Sequence, residues 1–79
     1  MRRLRINERT EFKAYAYNNR ELLANLHDDG CSTVGQIISR VCDKAGGWCK
    51  PITDVKIVVS EQEVSAWYHR SGTQWKRTD

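Results

Sequence analysis

The chain has 79 residues, 39% hydrophobic and 29% charged, with 13 Lys and Arg against 10 Asp and Glu for a net charge of +3. These values describe one small folded domain, exclude a disordered chain, and lean only weakly toward anionic partners. A core this small buries roughly 60% of the unfolded surface, so a partner or a second copy in a homodimer would add stability. No apolar run approaches the roughly 20 residues of a membrane-spanning helix. The opening M-R-R-L-R-I-N-E-R has no apolar stretch behind its arginines to make a secretory signal. A cytoplasmic location without a membrane partner is the expectation.

In chain order, residues 1–9 alternate basic and apolar side chains through Arg3, Leu4, Arg5 and Ile6, as an edge strand or a flexible basic arm would. Thr10–Tyr17 reads as a strand, with Phe12, Ala14 and Ala16 on one face and Lys13, Tyr15 and Tyr17 on the other. Asn18-Asn19 breaks it. Residues 20–27 have strong helix formers (Glu21, Leu22, Leu23, Ala24, Leu26) and an Asn18–Glu21 capping pattern, which favours a helix. A tight turn at Asn18-Asn19 with a returning strand is the competing reading.

The stretch 32–46 predicts the central amphipathic helix. Val34, Ile37, Ile38, Val41 and Ala45 recur at i, i+3, i+4, i+7 and i+11, which is one helical stripe. Thr33 with Gln36 forms a capping-box pattern, with Ser32 as a rival cap, and Gly46-Gly47 suits the stop. Gly35 is discordant, because glycine costs about 1 kcal/mol relative to alanine inside a helix. Either something approaches the backbone there or the first turn tolerates the cost.

Beyond a loop with Trp48 and Cys49, residues 52–60 predict a strand, rich enough in β-branched side chains to be central in a sheet. Residues 61–71 read best as a second helix. Ser60 and Glu63 make a capping box, Val64, Trp67 and Tyr68 share a helical face, and no Gly, Asn or Asp marks a turn at 60–63. The alternating strand reading of Val64–His69 is the alternative. Residues 73–79, with Trp75, Lys76 and Arg77, suit a short strand or a flexible basic tail.

No motif names a reaction, a cofactor or a family. Asp28-Asp29-Gly30 between two helices suggests a helix-turn-helix, but strands flank the pair and the exposed helix face is sparse in base-reading side chains. His27, Cys31, Cys49 and His69 are metal-ligand types without metal-site spacing, so no metal is expected. The three cysteines have no C-x-x-C pair, and a Cys31–Cys49 disulfide suits a cytosolic chain poorly. Neither cysteine has a local nucleophile signature, so an enzyme is not expected.

The strongest functional signal is basic and aromatic together: Arg2, Arg3 and Arg5 at one end, Trp67, Arg70, Trp75, Lys76 and Arg77 at the other. Lys and Arg neutralise phosphates, and indole rings stack on unpaired bases. Trp and Arg also anchor protein interfaces, so an accessory factor or inhibitor that regulates a larger protein is the alternative, such as a phage- or plasmid-borne one. The expectation is therefore a single small α+β domain with a short sheet packed on the 32–46 helix. It would act as a non-enzymatic binding module, with nucleic acid placed ahead of a protein partner.

Overall fold

The computed structural model describes residues 3–28, 30–46 and 51–79. Its elements are β1 (Phe12–Asn18), β2 (Glu21–Asp28), α1 (Val34–Lys44), β3 (Asp54–Val59), a 3-10 turn at Ser60–Gln62, β4 (Val64–Ser71) and β5 (Gln74–Arg77). The strands form one antiparallel sheet in the order β2-β1-β3-β4-β5. With α1 on one face, this is an α+β fold.

The alternation of β1 sets the layers. Phe12, Ala14 and Ala16 are buried, and their cross-strand partners continue the same face with Ile57, Val55 and Ala66. Alanines on β1 keep this face low enough for the helix stripe to settle on it. Ile37, Ile38 and Val41 of α1 are buried there, together with Cys31 and Ile52. Burying side chains of this size contributes about 1.5–3 kcal/mol each before the entropy of ordering them is subtracted. β3 is the middle strand, flanked by β1 and β4, a position that suits its run of valine and isoleucine.

The helix ends follow the sequence closely. Thr33 is the N-cap, its hydroxyl accepting from the Gln36 amide at 3.2 Å. The Gln36 side chain reaches one residue further back than a standard capping box, where its Oε1 accepts from the Ser32 amide at 2.8 Å. Ala45 closes the helix and Gly46 follows at φ +65°.

Two helix expectations are overturned. Residues 21–28 form β2, because the Asn19-Arg20 turn adopts the left-handed conformation (φ +47° and +79°) and returns the chain along β1. The helix formers of this segment instead divide between the faces of an edge strand, with a bulge opposite Ala16/Tyr17. A β2 strand also removes the first helix of the helix-turn-helix reading.

Residues 61–71 form no α-helix: a 3-10 turn ends at Gln62 and β4 follows. The Ser60–Glu63 pattern that resembles a capping box is a tight reversal: the Glu63 amide donates to the Ser60 carbonyl at 3.1 Å, with Glu63 at φ +54°. A non-glycine residue in that conformation leaves no glycine or asparagine signal to read. β4 then pairs with β3 throughout, from Asp54↔His69 to Val59↔Val64.

Candidate functional site

Strand alternation separates neighbours in sequence. Tyr68, Arg70, Trp75 and Arg77 fall on the helix side of β4 and β5, because Tyr68 pairs with Arg77 and Arg70 with Trp75. Trp67, His69 and Lys76 fall on the opposite side, which no described helix or strand covers. The basic and aromatic residues of the C-terminal region are therefore split between two surfaces.

The N-terminal arginines stand apart from both. Arg5 is fastened at the far end of β4, where its amide donates to Gln62 Oε1 at 3.0 Å and its carbonyl accepts from Gln62 Nε2 at 2.6 Å. Leu4 and Ile6, on either side of it, pack against the core. Arg70 lies six residues beyond Val64 along β4, about 20 Å away at strand spacing. Arg3 is exposed on the same segment as Arg5, and Arg2 lies outside the described residues.

On the open face, rows of cross-strand partners run perpendicular to the strands. One is Asn25–Tyr15–Lys56–Trp67; the next is Leu22–Tyr17–Asp54–His69–Lys76. Lys13 precedes them on β1, opposite His27. At the centre, the Tyr17 and Trp67 rings lie 5.3 Å apart at an interplanar angle of 38°, and the Lys56 ammonium stands 5.5 Å from the Trp67 ring centroid. Such a tilted pair with a cation over the indole is an attractive arrangement of ring quadrupoles and charge. A hollow of about 360 Å³ beside it is lined by Tyr17, Trp67, Arg20 and Asp54.

Asp54 faces this cluster but is already engaged. Its Oδ1 lies 2.9 Å from His69 Nδ1, and its Oδ2 accepts from the Thr53 hydroxyl at 2.8 Å. The cations Lys13, Lys56 and Lys76 thus outweigh the acid among the strand residues of this face.

On the helix side, Arg77 is bound to Asp79, Nε to Oδ1 at 2.9 Å. That bond raises the Arg77 pKa and, with help from the Trp67 amide, holds the Asp79 carboxyl below its ordinary value. Burial pushes the Tyr68 phenol and the Cys42 thiol up, and the nearby Arg70 charge partly opposes the effect on Cys42. A half-buried thiol kept protonated is a poor nucleophile. Cys31 is free and fully buried, and Cys49 lies outside the described residues. Among the described residues, no group of three or more His, Cys, Asp or Glu converges as a metal site would require.

Of the residues singled out from the sequence, the structure brings Trp67 and Lys76 to the open face and Arg70 and Trp75 to the opposite one. It adds Lys13, Tyr15, Tyr17 and Lys56 to the open face. Their outward alternation on strands 10–17 and 52–60 was readable, but the strand order that joins them to Trp67 was not. The chain matches no protein-family model, no curated protein and no solved structure.

Proposed function

We propose that the protein is a non-enzymatic module that binds single-stranded nucleic acid on the open face of its sheet. The observation that carries this reading is the central cluster in which Lys56 stands over Trp67 and Trp67 leans on Tyr17. Unpaired bases stack on aromatic side chains at about 1–3 kcal/mol each, whatever their sequence, and flanking lysines neutralise the phosphates between them. Tyr15 and Trp67 sit two strand spacings apart in the same row, about 10 Å, with Lys56 between them. A base stacking on Trp67 displaces the Lys56 ammonium toward the phosphate. Exposed ring faces on this sheet favour a single strand over a duplex, whose bases are already stacked on one another.

The test is a fluorescence titration with oligo(U), oligo(dT) and a duplex at about 50 and 200 mM salt. Engaging Lys13, Lys56 and Lys76 gives a slope near −2 in log–log form, so the fourfold salt change weakens single-strand binding by about 16-fold. The duplex binds more weakly. Absence of binding to either single strand at low salt contradicts the reading.

A further inference from the structure

One residue of the open face works against phosphate binding. Asp54 is the single acid among the strand residues of that face, and it stands in the middle of its row, between Tyr17 and His69. A carboxylate there repels a passing phosphate. It is also held in a fixed orientation. The Asn19 amide donates to the Thr53 hydroxyl at 2.9 Å, that hydroxyl donates to Asp54 Oδ2 at 2.8 Å, and Asp54 Oδ1 lies 2.9 Å from His69 Nδ1. An ionised carboxylate has about four lone-pair sites, so each oxygen keeps one for a guest.

The second observation is the hollow of about 360 Å³ that Asp54 lines. Tyr17 and Trp67 give it ring surface, and Arg20 is its fourth lining residue. Arg20 belongs to the left-handed turn before β2, at φ +79°, and makes no hydrogen bond or ion pair with a described residue. Aromatic surface, a group that only accepts and a group that only donates thus meet in one place. The volume lies at the lower end of the range for small-ligand sites, about 300–1,000 Å³.

We propose that this hollow takes a guanine base of the bound strand, stacked on the ring pair with its Watson–Crick edge on Asp54 and its O6 and N7 on Arg20. The proposal rests on the open face being a single-strand site. The four bases differ in what they show a carboxylate. Guanine sets N1–H and N2–H₂ side by side, two donors for two oxygens, with two acceptors on the adjoining edge for the arginine fork. Adenine and cytosine set a ring-nitrogen acceptor beside their amino group, and uracil flanks its one N–H with two carbonyls. Each of these turns at least one lone pair toward Asp54. The acid that weakens phosphate binding in general therefore selects one base in particular.

The experiment compares RNA octamers by tryptophan fluorescence at about 50 mM salt. Oligo(U) is set against oligo(U) carrying one central guanosine, inosine, adenosine or cytidine. Guanosine tightens binding about tenfold over uridine, the size of one bidentate base contact. Inosine, which lacks the N2 amino group, loses part of that gain, and this arm uses the unaltered protein. Asp54→Asn replaces an acceptor oxygen by a donor, so the guanosine preference disappears while oligo(U) affinity holds or rises with the lost negative charge. Arg20→Gln reduces the preference, as does 7-deazaguanosine in the unaltered protein. Oligo(U) bound as tightly as the guanosine oligomer overturns the guanine pocket and leaves the open-face reading standing, whereas failure to bind any oligomer overturns both. A preference for adenosine or cytidine also overturns the pocket. So does a guanosine preference that survives Asp54→Asn at an unchanged melting temperature.

Discussion

The open face of the sheet spreads Lys13, Lys56 and Lys76 among Tyr15, Tyr17 and Trp67, whereas on the helix side a hollow between α1 and β4–β5 carries opposite charges, Asp43 and Arg70, beside Ile38, Ile52 and Trp75. Distributed charge among ring faces suits a polymer with a repeating charge and many stacking units. Trp67 and Tyr68 are adjacent in the chain yet serve opposite surfaces. Composition counts them together, and strand geometry separates them.

Trp67→Ala should separate the two faces most sharply. Oligonucleotide affinity should fall by about 10- to 100-fold, equivalent to one stacked base, in an anisotropy titration with a labelled oligomer. Trp67→Tyr should restore most of the loss, which separates stacking from any structural role of the indole.

Next in size is the triple change of Lys13, Lys56 and Lys76 to Gln. It should flatten the salt dependence from a slope near −2 toward zero without changing the preference for single strands. An unchanged slope would place the phosphates elsewhere, with Arg3 and Arg5 the next candidates.

Gly35→Ala should raise stability by about 0.4–1 kcal/mol, read from the urea midpoint, because the new methyl has room and the unfolded chain loses freedom. A drop in stability would show that Gly35 is needed by the fold itself.

The smallest effect concerns Asp79. Its carboxyl is held below the ordinary value of 3.8, first by the Arg77 hydrogen bond and then by the Trp67 amide. A depressed carboxyl contributes stability above the unfolded value, and that contribution is lost as pH falls through the folded value. Asp79→Asn should therefore cost less than about 1 kcal/mol at pH 7, with the difference closing under acid conditions. Urea titrations at both pH values measure it.

The sequence disclosed most where local pattern and tertiary role agree. The α1 stripe, the Thr33 cap and the outward alternation of β1 and β3 all follow from periodicity, and each survives because burial reinforces it. β2 and β4 were hidden for different reasons. In β2, Leu22, Leu23, Ala24 and Leu26 prefer helix, and pairing with β1 overrides that weak local bias. In β4, the preceding reversal uses Glu63 at positive φ, so the turn carries no compositional mark and Ser60–Glu63 imitates a helix start. The site was legible as residue types, since Trp67, Arg70, Trp75 and Lys76 stand out in the chain. Its division between two faces depends on β4 and β5 being strands, and so was lost with the β4 assignment.

The most direct test of two independent surfaces is an amide-shift titration of the ¹⁵N-labelled protein with oligo(U) at low salt. Shifts are expected along Lys13–Tyr17, Lys56 and Trp67, with Gly35, Ser39 and Arg70 unmoved. Shifts centred on Gly35 and Arg70 while the Lys56–Trp67 row stays silent would contradict it.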